Sequence, residues 1–355
     1  MSETKVLLSL IQEHLDEFCA AQRQDFDLIS EDLSPLVDYT KDLLQGGKRF
    51  RALFAYWSWV GALSTSGFQQ TEAERQKSAE AIVGITAALE MFHAAALVHD
   101  DLLDQSDTRR GSPAVHNRFE LLHADSSWAG SHERFGVAGS VLVGDLMLGW
   151  SSEIFGQALL KSPDRAIEIA CREEFSKMRV EVMAGQYLDV LEENAAMSGL
   201  VDEAVGRANR VILYKTAKYT IEAPLLIGAA FAGASPGLMR GLSAFAIPLG
   251  MAFQLRDDIL GVFGDPEVTG KPAGDDLREG KRTVLVGLTR ETLPKSIATI
   301  FDELLTSRVL DGEQIAFLQQ TIVGSGALAK TERMIEELAD ESLNSLESLE
   351  IDERA

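Results

Sequence analysis

Long stretches of this chain repeat apolar residues every three to four positions, which is the spacing of one face of an α-helix. Runs in which β-branched and polar residues alternate between turns, the usual sign of strands, are almost missing. Several of the predicted helices are about 20 residues or longer and apolar on most faces, as in helices buried inside large bundles. We therefore expect an all-α fold, a large helical bundle around a central cavity.

The breaks between the predicted helices are short enough to be loops of one domain. Polar segments with Gly and Ser fall near 64–72, 122–136 and 193–200, and the sequence contains no proline-rich linker and no internal repeat. A single domain over residues 1–355, with a frayed acidic tail near 348–355, is the simplest organisation. The helices are predicted at roughly 3–22, 48–63, 78–106, 137–160, 165–192, 203–221, 223–233, 238–260, 283–305, 313–322 and 326–347.

Charge limits the partners that the chain can bind. It has 55 acidic and 33 basic residues among 355 and a net charge of −22, so attraction of a nucleic-acid backbone by bulk charge is not expected. The same charge repels any other anion. An anionic substrate would therefore have to be held by local basic clusters or by metal ions.

Cysteine content and apolar run length favour a cytoplasmic protein. Cys19 and Cys171 are the only cysteines, too few for a disulfide framework in a chain of this size. The first residues are polar and periodic, without the basic and apolar regions of a signal peptide. The longest apolar run, which begins at Ala223, has 12 residues, too few to span a bilayer. We expect no transmembrane segment.

One long apolar helix ends in carboxylates. Asp100 and Asp104 are four residues apart and share a face, with Asp101 beside them. The carboxyl end of a helix carries partial negative charge and favours Lys or Arg. Two carboxylates about 4 Å apart also repel by about 4 kcal/mol at an effective dielectric near 20. A cation should offset this repulsion, and ligands that are all oxygen favour Mg²⁺ over zinc.

The same pattern recurs at the end of a second apolar helix, where Asp257 and Asp258 come just before a glycine-rich loop. Either acidic end taken alone is explained more simply by a solvated helix face. Two of them, each closing a strongly apolar helix, favour a shared role. If they face each other across a cavity, they could hold several Mg²⁺ ions and a diphosphate.

The loop itself is unusual. Between Gly261 and Arg282 the chain contains five Gly and two Pro. Long loops without secondary structure are uncommon in compact domains and are usually functional. We interpret this segment as a loop that closes over the cavity, with a disordered surface excursion as the alternative.

Basic residues form local clusters. Residues 46–51, Gly-Gly-Lys-Arg-Phe-Arg, place three cations in the predicted first turn of a helix. Because the positive start of a helix prefers anions, a diphosphate held there by Lys48 and Arg51 would explain them, and pairing with surface carboxylates is the alternative. Further candidates for binding anions are Arg109, Arg110, Lys215, Lys271 and Lys281, of which Lys271 lies inside the glycine-rich loop.

Polar residues within apolar helices add candidates. His93 lies seven residues before Asp100 and on nearly the same face, which leaves a substrate contact and a buried, hydrogen-bonded histidine equally open. Gln186, Asp189 and Gln254 are either satisfied polar groups of the core or part of the cavity wall.

Together these segments resemble the trans-prenyl diphosphate synthases, the polyprenyl synthetase family. GGKRFR, DDLLDQSDTRRG, GQYLD, YKTAKYT, FQLRDD and GDPEVTGKPAGDDLREGKRT match the motifs of that family in the same order and span residues 46 to 283. The last segment is most similar to actinobacterial geranylgeranyl diphosphate synthases. The resemblance implies a Mg²⁺-dependent enzyme, commonly a homodimer, that adds isopentenyl diphosphate head to tail to an allylic diphosphate.

The resemblance also implies roles for individual residues. Asp100, Asp101 and Asp104 would form the first aspartate-rich motif, which binds Mg²⁺ on the allylic diphosphate, and Asp257 and Asp258 would belong to the second. The allylic diphosphate would be contacted by Arg109, Lys215, Gln254 and Lys271, and isopentenyl diphosphate by Lys48, Arg51, His93 and Arg110. Thr216 and Gln186 would line the reacting region, and Lys281 is a further candidate for substrate binding.

One position departs from the pattern of the family. The fifth residue of the second motif is usually Asp, and here it is Gly261. One carboxylate is therefore missing from the second metal shell. Because Asp257 is the usual direct ligand there, we expect activity to survive.

The implied chemistry fits the charge pattern. Metals and cations would stabilise the departing diphosphate while an allylic cation forms, and the double bond of isopentenyl diphosphate would then attack that cation. No side chain is an obvious strong base, so the released diphosphate would take the proton, as the family suggests. A dry cavity closed by the loop would keep water away from the cation.

Product length should depend on the depth of the cavity below the first aspartate motif. Ala95 and Ala96 come one turn before Asp100, where farnesyl-forming relatives usually carry bulky aromatics. Phe92 lies about 5.4 Å deeper, one turn further back, and could form the floor. We therefore expect a product longer than farnesyl, most simply geranylgeranyl diphosphate.

Three other functions stay open. If Phe92 does not seal the pocket, the protein would be a longer-chain polyprenyl diphosphate synthase. A terpene cyclase also uses an aspartate-rich motif and metals, but it does not need a second diphosphate site at residues 46–51. A non-catalytic partner subunit of another synthase is compatible with the glycine at position 261.

Overall fold

The computed structural model describes residues 2–64, 71–195, 203–265, 273–307 and 309–352, which are almost entirely helical. The prediction of an all-α fold is confirmed. Two very short strands, β1 (Thr108–Arg109) and β2 (Ser112–Pro113), form an antiparallel hairpin. The α-helices are α1 Glu3–Asp27, α2 Ser34–Leu43, α3 Phe50–Leu63, α4 Glu72–Leu103, α5 Val115–Asp125, α6 His132–Leu159, α7 Arg165–Ala195, α8 Ala204–Val211, α9 Ala223–Phe231, α10 Pro236–Phe263, α11 Asp275–Arg278, α12 Val284–Thr292, α13 Lys295–Thr306, α14 Gly312–Gly324 and α15 Ala327–Glu347; a π-helical segment, Ile212–Glu222, joins α8 to α9, and a 3₁₀ turn, Glu31–Leu33, precedes α2.

The chain forms two compact units. Unit 1 consists of the chain up to Cys171, residues 227–234 and the described residues from Ile351 onward. Unit 2 consists of residues 172–226 and 235–350. The organisation of residues 1–355 as a single domain stays a prediction, as does the closeness of the acidic ends of α4 and α10.

Unit 1 is built around α4, which packs against α1, α3 and α6. The middle of α4 is buried on most faces, because its sequence there is almost wholly apolar. Gly84 allows α6 to approach closely, since a Cβ at this position would lie only 2.9 Å from the Cβ of Ala158. The hydroxyl of Ser151 on α6 donates to the carbonyl of Ala88 at 2.7 Å, which satisfies a polar group inside this contact.

Unit 2 is built around α10, which packs against the π-helical segment and α15. The hydroxyl of Ser235 accepts the amide of Leu238 and caps the start of α10. Gly250 allows the π-helical segment to approach, since a Cβ there would lie 2.5 Å from the Cα of Ala217. Buried side chains of α10 to α14, together with Ala208, Ile212 and Ala327, form one apolar cluster.

Several predicted boundaries were wrong. α2 and α5 were not predicted, although Pro35 at the start of α2 is a recognised signal for a first helical turn. The predicted helix 283–305 is two helices, because Leu293 takes the extended conformation favoured before proline, with ψ 141°. Segment 261–282 is not a continuous loop: α10 runs to Phe263 and α11 follows, while residues 266–272 lie outside the described ranges.

Within the described ranges, α4, α6 and α10 are long and apolar enough to cross a membrane by length and composition alone. The longest uninterrupted apolar run in the sequence is therefore shorter than the apolar stretches of these helices. Most of the apolar window of α4 is buried inside the structure, and less than half of the windows of α6 and α10. That the chain has no transmembrane segment stays a prediction.

Candidate active site

The carboxyl end of α4 carries the first group of aspartates. α4 ends at Leu103, and the amide of Asp104 donates to the carbonyl of Asp100 at 2.8 Å. Asp100 and Asp104 are partly exposed, whereas the side chain of Asp101 is only 2% exposed. The predicted gathering of carboxylates at the negative end of a buried helix is present in unit 1.

Arg109 neutralises part of this charge. The hairpin turns at Arg110 and Gly111, both with positive φ (52° and 78°), as a two-residue hairpin turn requires. The guanidinium of Arg109 donates to Asp101 through Nε at 2.8 Å and also through Nη2, and it lies 4.0 Å from Asp100. Burial raises the pKa of Asp101, and the hydrogen bonds from Arg109 act in the opposite direction.

Three arginines of the same unit lie near enough to His93 for their charges to affect its pKa. Burial lowers the pKa of His93 well below 6.5, and the charges of Arg51, Arg110 and Arg109 lower it further. The lowered pKa of His93 favours the neutral imidazole, which can donate or accept a hydrogen bond without adding charge. Four predicted substrate-binding residues, from three separate stretches of the chain, thus act on one another through their charges. Lys48 is exposed, with its ammonium 5.8 Å from the centre of the Phe50 ring.

Two arginines hold the loop between α2 and α3. The last carbonyls of a helix have no partner within it and must find donors elsewhere. Here Arg110 Nη1 donates to the carbonyls of Leu43 and Gln45 at 3.0 and 2.8 Å, and Arg49 donates to those of Leu44 and Gly46 at 2.9 and 3.4 Å. Arg49 has a left-handed backbone and is buried, so it faces the loop and is not presented to a ligand.

The start of α3 differs from the prediction that its first turn carries three cations. α3 begins at Phe50, so Lys48 and Arg49 precede it. The amide of Ala52 donates to the buried carboxylate of Glu90 on α4 at 3.3 Å. Burial raises the pKa of Glu90, while neighbouring arginines lower it. An internal anion therefore meets this helix start, a role that we had expected a bound diphosphate to fill.

The predicted chain-length residues precede Asp100 on α4. Phe92 and Ala95 are buried, with 1% and 0% exposure, while Ala96 is partly exposed. Ala96 and Asp100 are four residues apart and therefore share a face of the helix. Of the three positions, Ala96 is the one where a larger side chain would reach beyond the packed core.

The carboxyl end of α10 carries the second group of aspartates. Asp257 is exposed, whereas Asp258 is only 5% exposed. Gln254, one turn earlier, donates to Asp258 Oδ1 at 2.8 Å, but Oδ2 is buried without a hydrogen-bond partner in the described part of the chain. Burial raises the pKa of Asp258 to about 8 despite the hydrogen bond from Gln254, and the charges of Asp276 and Asp257 contribute.

The π-helical segment connects to this acidic end. Turns of π-helix are rare and are found frequently at functional sites. The hydroxyl of Thr216 donates to Gln254 Oε1 at 2.7 Å, so Gln254 links Thr216 to Asp258. The sequence left open whether Gln254 is a polar group of the core or part of the cavity wall. In the structure it supports Asp258, a candidate metal ligand.

The same segment also meets α7. The ammonium of Lys215 lies 2.6 Å from the carboxylate of Asp189, so Asp189 is a satisfied polar group. α7 comes this close because of Gly185: a Cβ there would lie 2.4 Å from the amide nitrogen of Lys215. Gln186 follows Gly185 and is partly buried.

The last two basic candidates have different outcomes. The ammonium of Lys281 lies 2.7 Å from Glu279 and 3.8 Å from Asp276, so it belongs to the charged group near the end of α10. Lys271 lies outside the described residues.

The oxygen ligands of both helix ends fit Mg²⁺. Among the described residues, no group of three or more His, Cys, Asp or Glu side chains is arranged to hold a metal ion. Magnesium in phosphate-binding sites, however, is usually held by only one or two carboxylates, and substrate phosphates and waters complete its shell. The unpartnered, buried oxygen of Asp258 is the kind of group that such a cation would satisfy. The five aspartates stay predicted ligands.

An all-α fold with aspartates at the ends of buried helices and arginines beside them defines a synthase of the isoprenoid type. The sequence matches the polyprenyl synthetase family over residues 33–322. The chain therefore belongs to the polyprenyl synthetase family, and it is a prenyltransferase of that family. The resemblance inferred from the motifs is confirmed.

Relatives with different products are similar to this chain. A crystal structure of geranylgeranyl pyrophosphate synthase from Corynebacterium glutamicum, complexed with isoprenyl diphosphate and magnesium, has a TM-score of 0.88 and 36% identity, covering 98% of this chain and 94% of that one. Geranylgeranyl diphosphate synthase of Sulfolobus acidocaldarius is 31% identical over 81% of this chain and 76% of its own length. Heptaprenyl diphosphate synthase component 2 of Geobacillus stearothermophilus is 29% identical over 95% and 91%.

Sequence reasoning missed two acidic residues of these sites. Glu90 lies within an apolar helix three residues before His93, and its isolated charge there was a signal for an internal partner. Asp276 is one of many charges in the segment 261–282, and no local pattern distinguishes it from Asp275. Only the contact between Asp276 and α10 identifies it.

Proposed function

We propose that this protein is a magnesium-dependent trans-prenyl diphosphate synthase that condenses isopentenyl diphosphate with allylic diphosphates to form geranylgeranyl diphosphate. The observation that carries the proposal is the end of α4, where Arg109 is paired with Asp101 and lies 4.0 Å from Asp100. The charges of Arg51, Arg109 and Arg110 also act on His93 in the same unit. In a chain of net charge −22 this is a concentrated site for an anion. The C. glutamicum structure, with its isoprenyl diphosphate and magnesium, supports the assignment.

The basic group of unit 1 suits the diphosphate of isopentenyl diphosphate. Arginine presents several donors in a plane that matches two phosphate oxygens at once, so Arg51 and Arg110 would orient the diphosphate as well as attract it. Because the lowered pKa of His93 favours its neutral form, His93 would donate a hydrogen bond without repelling the guanidinium groups. Lys48, which is exposed, would add a flexible charge.

The allylic diphosphate would be held by the residues near the two acidic ends. Arg109 is oriented by its pairing with Asp101, and Lys215 by its pairing with Asp189. Gln254 and Thr216 are linked by a hydrogen bond and would line the reacting region with Gln186. Lys271 completes this predicted set.

Magnesium held by Asp100, Asp101, Asp104, Asp257 and Asp258 would neutralise charge on the leaving diphosphate. The arginines would add fixed positive charge at the same place, which favours a state in which the diphosphate has separated from the allyl group. The released diphosphate would take the proton lost after the new bond has formed. The apolar residues of α4 would keep water from the cation.

The proposal is tested by incubating the purified protein with isopentenyl diphosphate, Mg²⁺ and dimethylallyl, geranyl or farnesyl diphosphate in parallel, and by sizing the products. We expect a 20-carbon product from each primer and no turnover when a chelator removes Mg²⁺. Absence of turnover with every primer would contradict the proposal and would favour a non-catalytic partner subunit.

Chain length is tested at Ala96. Because Ala96 shares a face with Asp100 and is partly exposed, Ala96→Phe should place a ring in the path of the growing chain and shift the main product to 15 carbons. Ala96→Ser, which changes the volume little, is the matched control and should leave the product unchanged. If Ala96→Phe still makes the wild-type product, this pocket is wrong.

A longer product is the second candidate. It is favoured by the similarity to heptaprenyl diphosphate synthase component 2, which covers 95% of this chain. In that case Phe92 does not close the pocket, and product sizing would show chains beyond 20 carbons. The same relative is named as one component, so mixing with a partner protein would be required for turnover if this chain works in the same way.

We also propose a cytoplasmic homodimer. Val137, Val141 and Leu142 on α6 are 47%, 39% and 56% exposed, an apolar surface on a long helix that a second copy could cover. Light scattering on the purified protein would measure the mass.

A further inference from the structure

Helix α3 begins without a capping side chain of its own. Its N-cap residue, Arg49, has a left-handed backbone with φ 49°, and a guanidinium can only donate hydrogen bonds, so it cannot cap the first turn. The first turn, residues 50–53, contains no acidic residue. The first amides of a helix have no partner within it and favour an acceptor or a negative charge. The start of α3 therefore depends on an acceptor from another part of the chain.

Glu90 of α4 supplies that acceptor. Its Oε1 accepts the amide of Ala52, the third residue of α3, at 3.3 Å. Both residues are buried, with 8% and 0% exposure, so water neither replaces nor strongly screens the contact. The two residues are 38 positions apart in the chain, and their hydrogen bond fixes the first turn of α3 against α4.

The same hydrogen bond determines where Arg51 lies relative to His93. Arg51 directly precedes Ala52, and His93 follows Glu90 by three residues on the same face of α4. Burial raises the pKa of Glu90, and the charge of Arg51 is the largest of the effects that oppose this shift. Burial lowers the pKa of His93, and the charge of Arg51 adds to that shift. Arg51 therefore lies near both side chains.

A carboxylate among cations can affect the binding of an anion in two opposite ways. It can compete with the anion for the cations, or it can hold them in the geometry that the anion needs. The hydrogen bond from Ala52 to Glu90 involves the main chain, which a bound anion does not replace. Glu90 is buried, whereas Arg51 is partly exposed and can meet an anion from outside. These contacts favour the second effect.

We propose that Glu90 is a positioning residue for isopentenyl diphosphate, which fixes the first turn of α3 against α4 and so holds Arg51 near His93. The inference rests on the proposed function. Glu90 would not touch the substrate but would act through Arg51. Its loss should therefore affect the binding of isopentenyl diphosphate and leave that of the allylic diphosphate unchanged.

The first test compares two substitutions of Glu90 in the full-length protein. Glu90→Gln keeps an acceptor for the amide of Ala52 and removes the charge, and it should raise KM for isopentenyl diphosphate about 10-fold, because charge-assisted hydrogen bonds are roughly twice as strong as neutral ones. Glu90→Met also removes the acceptor and should raise this KM further, by about 100-fold. KM for the allylic primer and kcat should change less than about 3-fold, the scatter expected from repacking alone.

The matched control is Glu80→Gln. Glu80 lies on the same helix ten residues earlier, about 15 Å away, where it is exposed and pairs with Lys161 at 3.0 Å. This variant should behave as the wild type does. An unchanged KM for isopentenyl diphosphate in both Glu90 variants would overturn the proposal. A lowered KM would overturn it too, since Glu90 would then compete with the diphosphate, and so would equal increases in KM for both substrates.

The second test asks whether Glu90 acts through Arg51, and it uses only Glu90→Gln, which keeps the size of the side chain. Isopentenyl diphosphate is titrated calorimetrically into the wild type, Glu90→Gln, Arg51→Ala and the double variant. If Glu90 works by placing Arg51, Glu90→Gln should change Kd less than about 2-fold once Arg51 has been removed. The same 10-fold loss in both backgrounds would show that Glu90 supports the fold alone, and the proposal would be wrong.

Failure of this inference can be told from failure of the proposed function. A wild type that forms prenyl products, with a Glu90→Gln variant of equal KM and Kd, defeats the role of Glu90 alone. A wild type without turnover on any primer defeats the proposed function, whereas the titrations still decide whether Glu90 positions Arg51. A wild type that binds no isopentenyl diphosphate defeats both.

Discussion

The carboxyl ends of α4 and α10 carry the same residues in different surroundings. At the end of α4, the buried carboxylate of Asp101 is paired with Arg109. At the end of α10, Asp258 is also buried, but no donor among the described residues meets its second oxygen, and its pKa rises to about 8. Burial raises the pKa of both aspartates. Arg109 opposes this shift at Asp101, whereas the charges of Asp276 and Asp257 add to it at Asp258. The pKa of a buried aspartate therefore depends on the charged groups that the fold places next to it.

The two ends also differ in where their carboxylates come from. At the α4 end Asp100, Asp101 and Asp104 follow one another within a single helix and its cap. At the α10 end a further carboxylate, that of Asp276, comes from a separate helical turn and lies beside Gly261. The first group can be recognised from a motif, whereas the closeness of Asp276 to α10 is seen only in the folded unit.

The largest effect is expected when the α4 end is made to resemble the α10 end. Arg109→Gln removes the counter-ion of Asp101, whose side chain is 2% exposed. Leaving a buried charge without its partner costs about 3–5 kcal/mol, which should appear as a lower free energy of unfolding in urea. Arg23→Gln is the control, because Arg23 pairs with exposed carboxylates and its loss should change the free energy of unfolding far less. Similar losses for both variants would contradict the comparison.

Removing the charge at each end should have unequal effects. Asp101→Asn weakens hydrogen bonds from a charged guanidinium and should cost about 1.5–3 kcal/mol of stability. Asp258→Asn, measured without Mg²⁺, should leave the stability unchanged or raise it, because the wild-type carboxylate is buried with one oxygen unsatisfied. Urea denaturation of the two variants in the same buffer gives the comparison. Equal destabilisation would mean that Asp258 has a partner equivalent to Arg109.

The smallest effect is expected when the hydrogen bond from Thr216 to Gln254, next to Asp258, is removed. Thr216→Val removes the hydroxyl that donates to Gln254, whose amide donates to Asp258. The loss of one such hydrogen bond should lower the free energy of unfolding by about 0.5–1.5 kcal/mol. Thr299→Val is the matched control, since the hydroxyl of Thr299 is exposed and bonds only within its own helix, to Lys295. If the two variants are equally stable, the link from Thr216 to Asp258 contributes nothing.

Most of the fold could be predicted because helical periodicity is local. The errors occurred where short helices carry few apolar residues, as in α2 and α5, and where Pro294 divides a periodic stretch. His93 and the three arginines whose charges act on it were all candidates from sequence, although their closeness could not be derived from spacing. Arg49 was counted among the three cations of a predicted first helical turn, but it precedes α3 in a left-handed conformation and donates to carbonyls of the loop.

The sequence by itself determined that this chain is helical, that two apolar helices end in aspartates, and that it belongs to the polyprenyl synthetases. These properties depend on residues close together in the chain, where spacing and chemistry can be read directly. Tertiary structure decided which aspartate has a counter-ion, which arginine turns inward, and that Asp276 lies against Gly261. Those outcomes depend on distances between residues that are far apart in sequence. Packing within each unit sets these distances, and no local sequence pattern contains them.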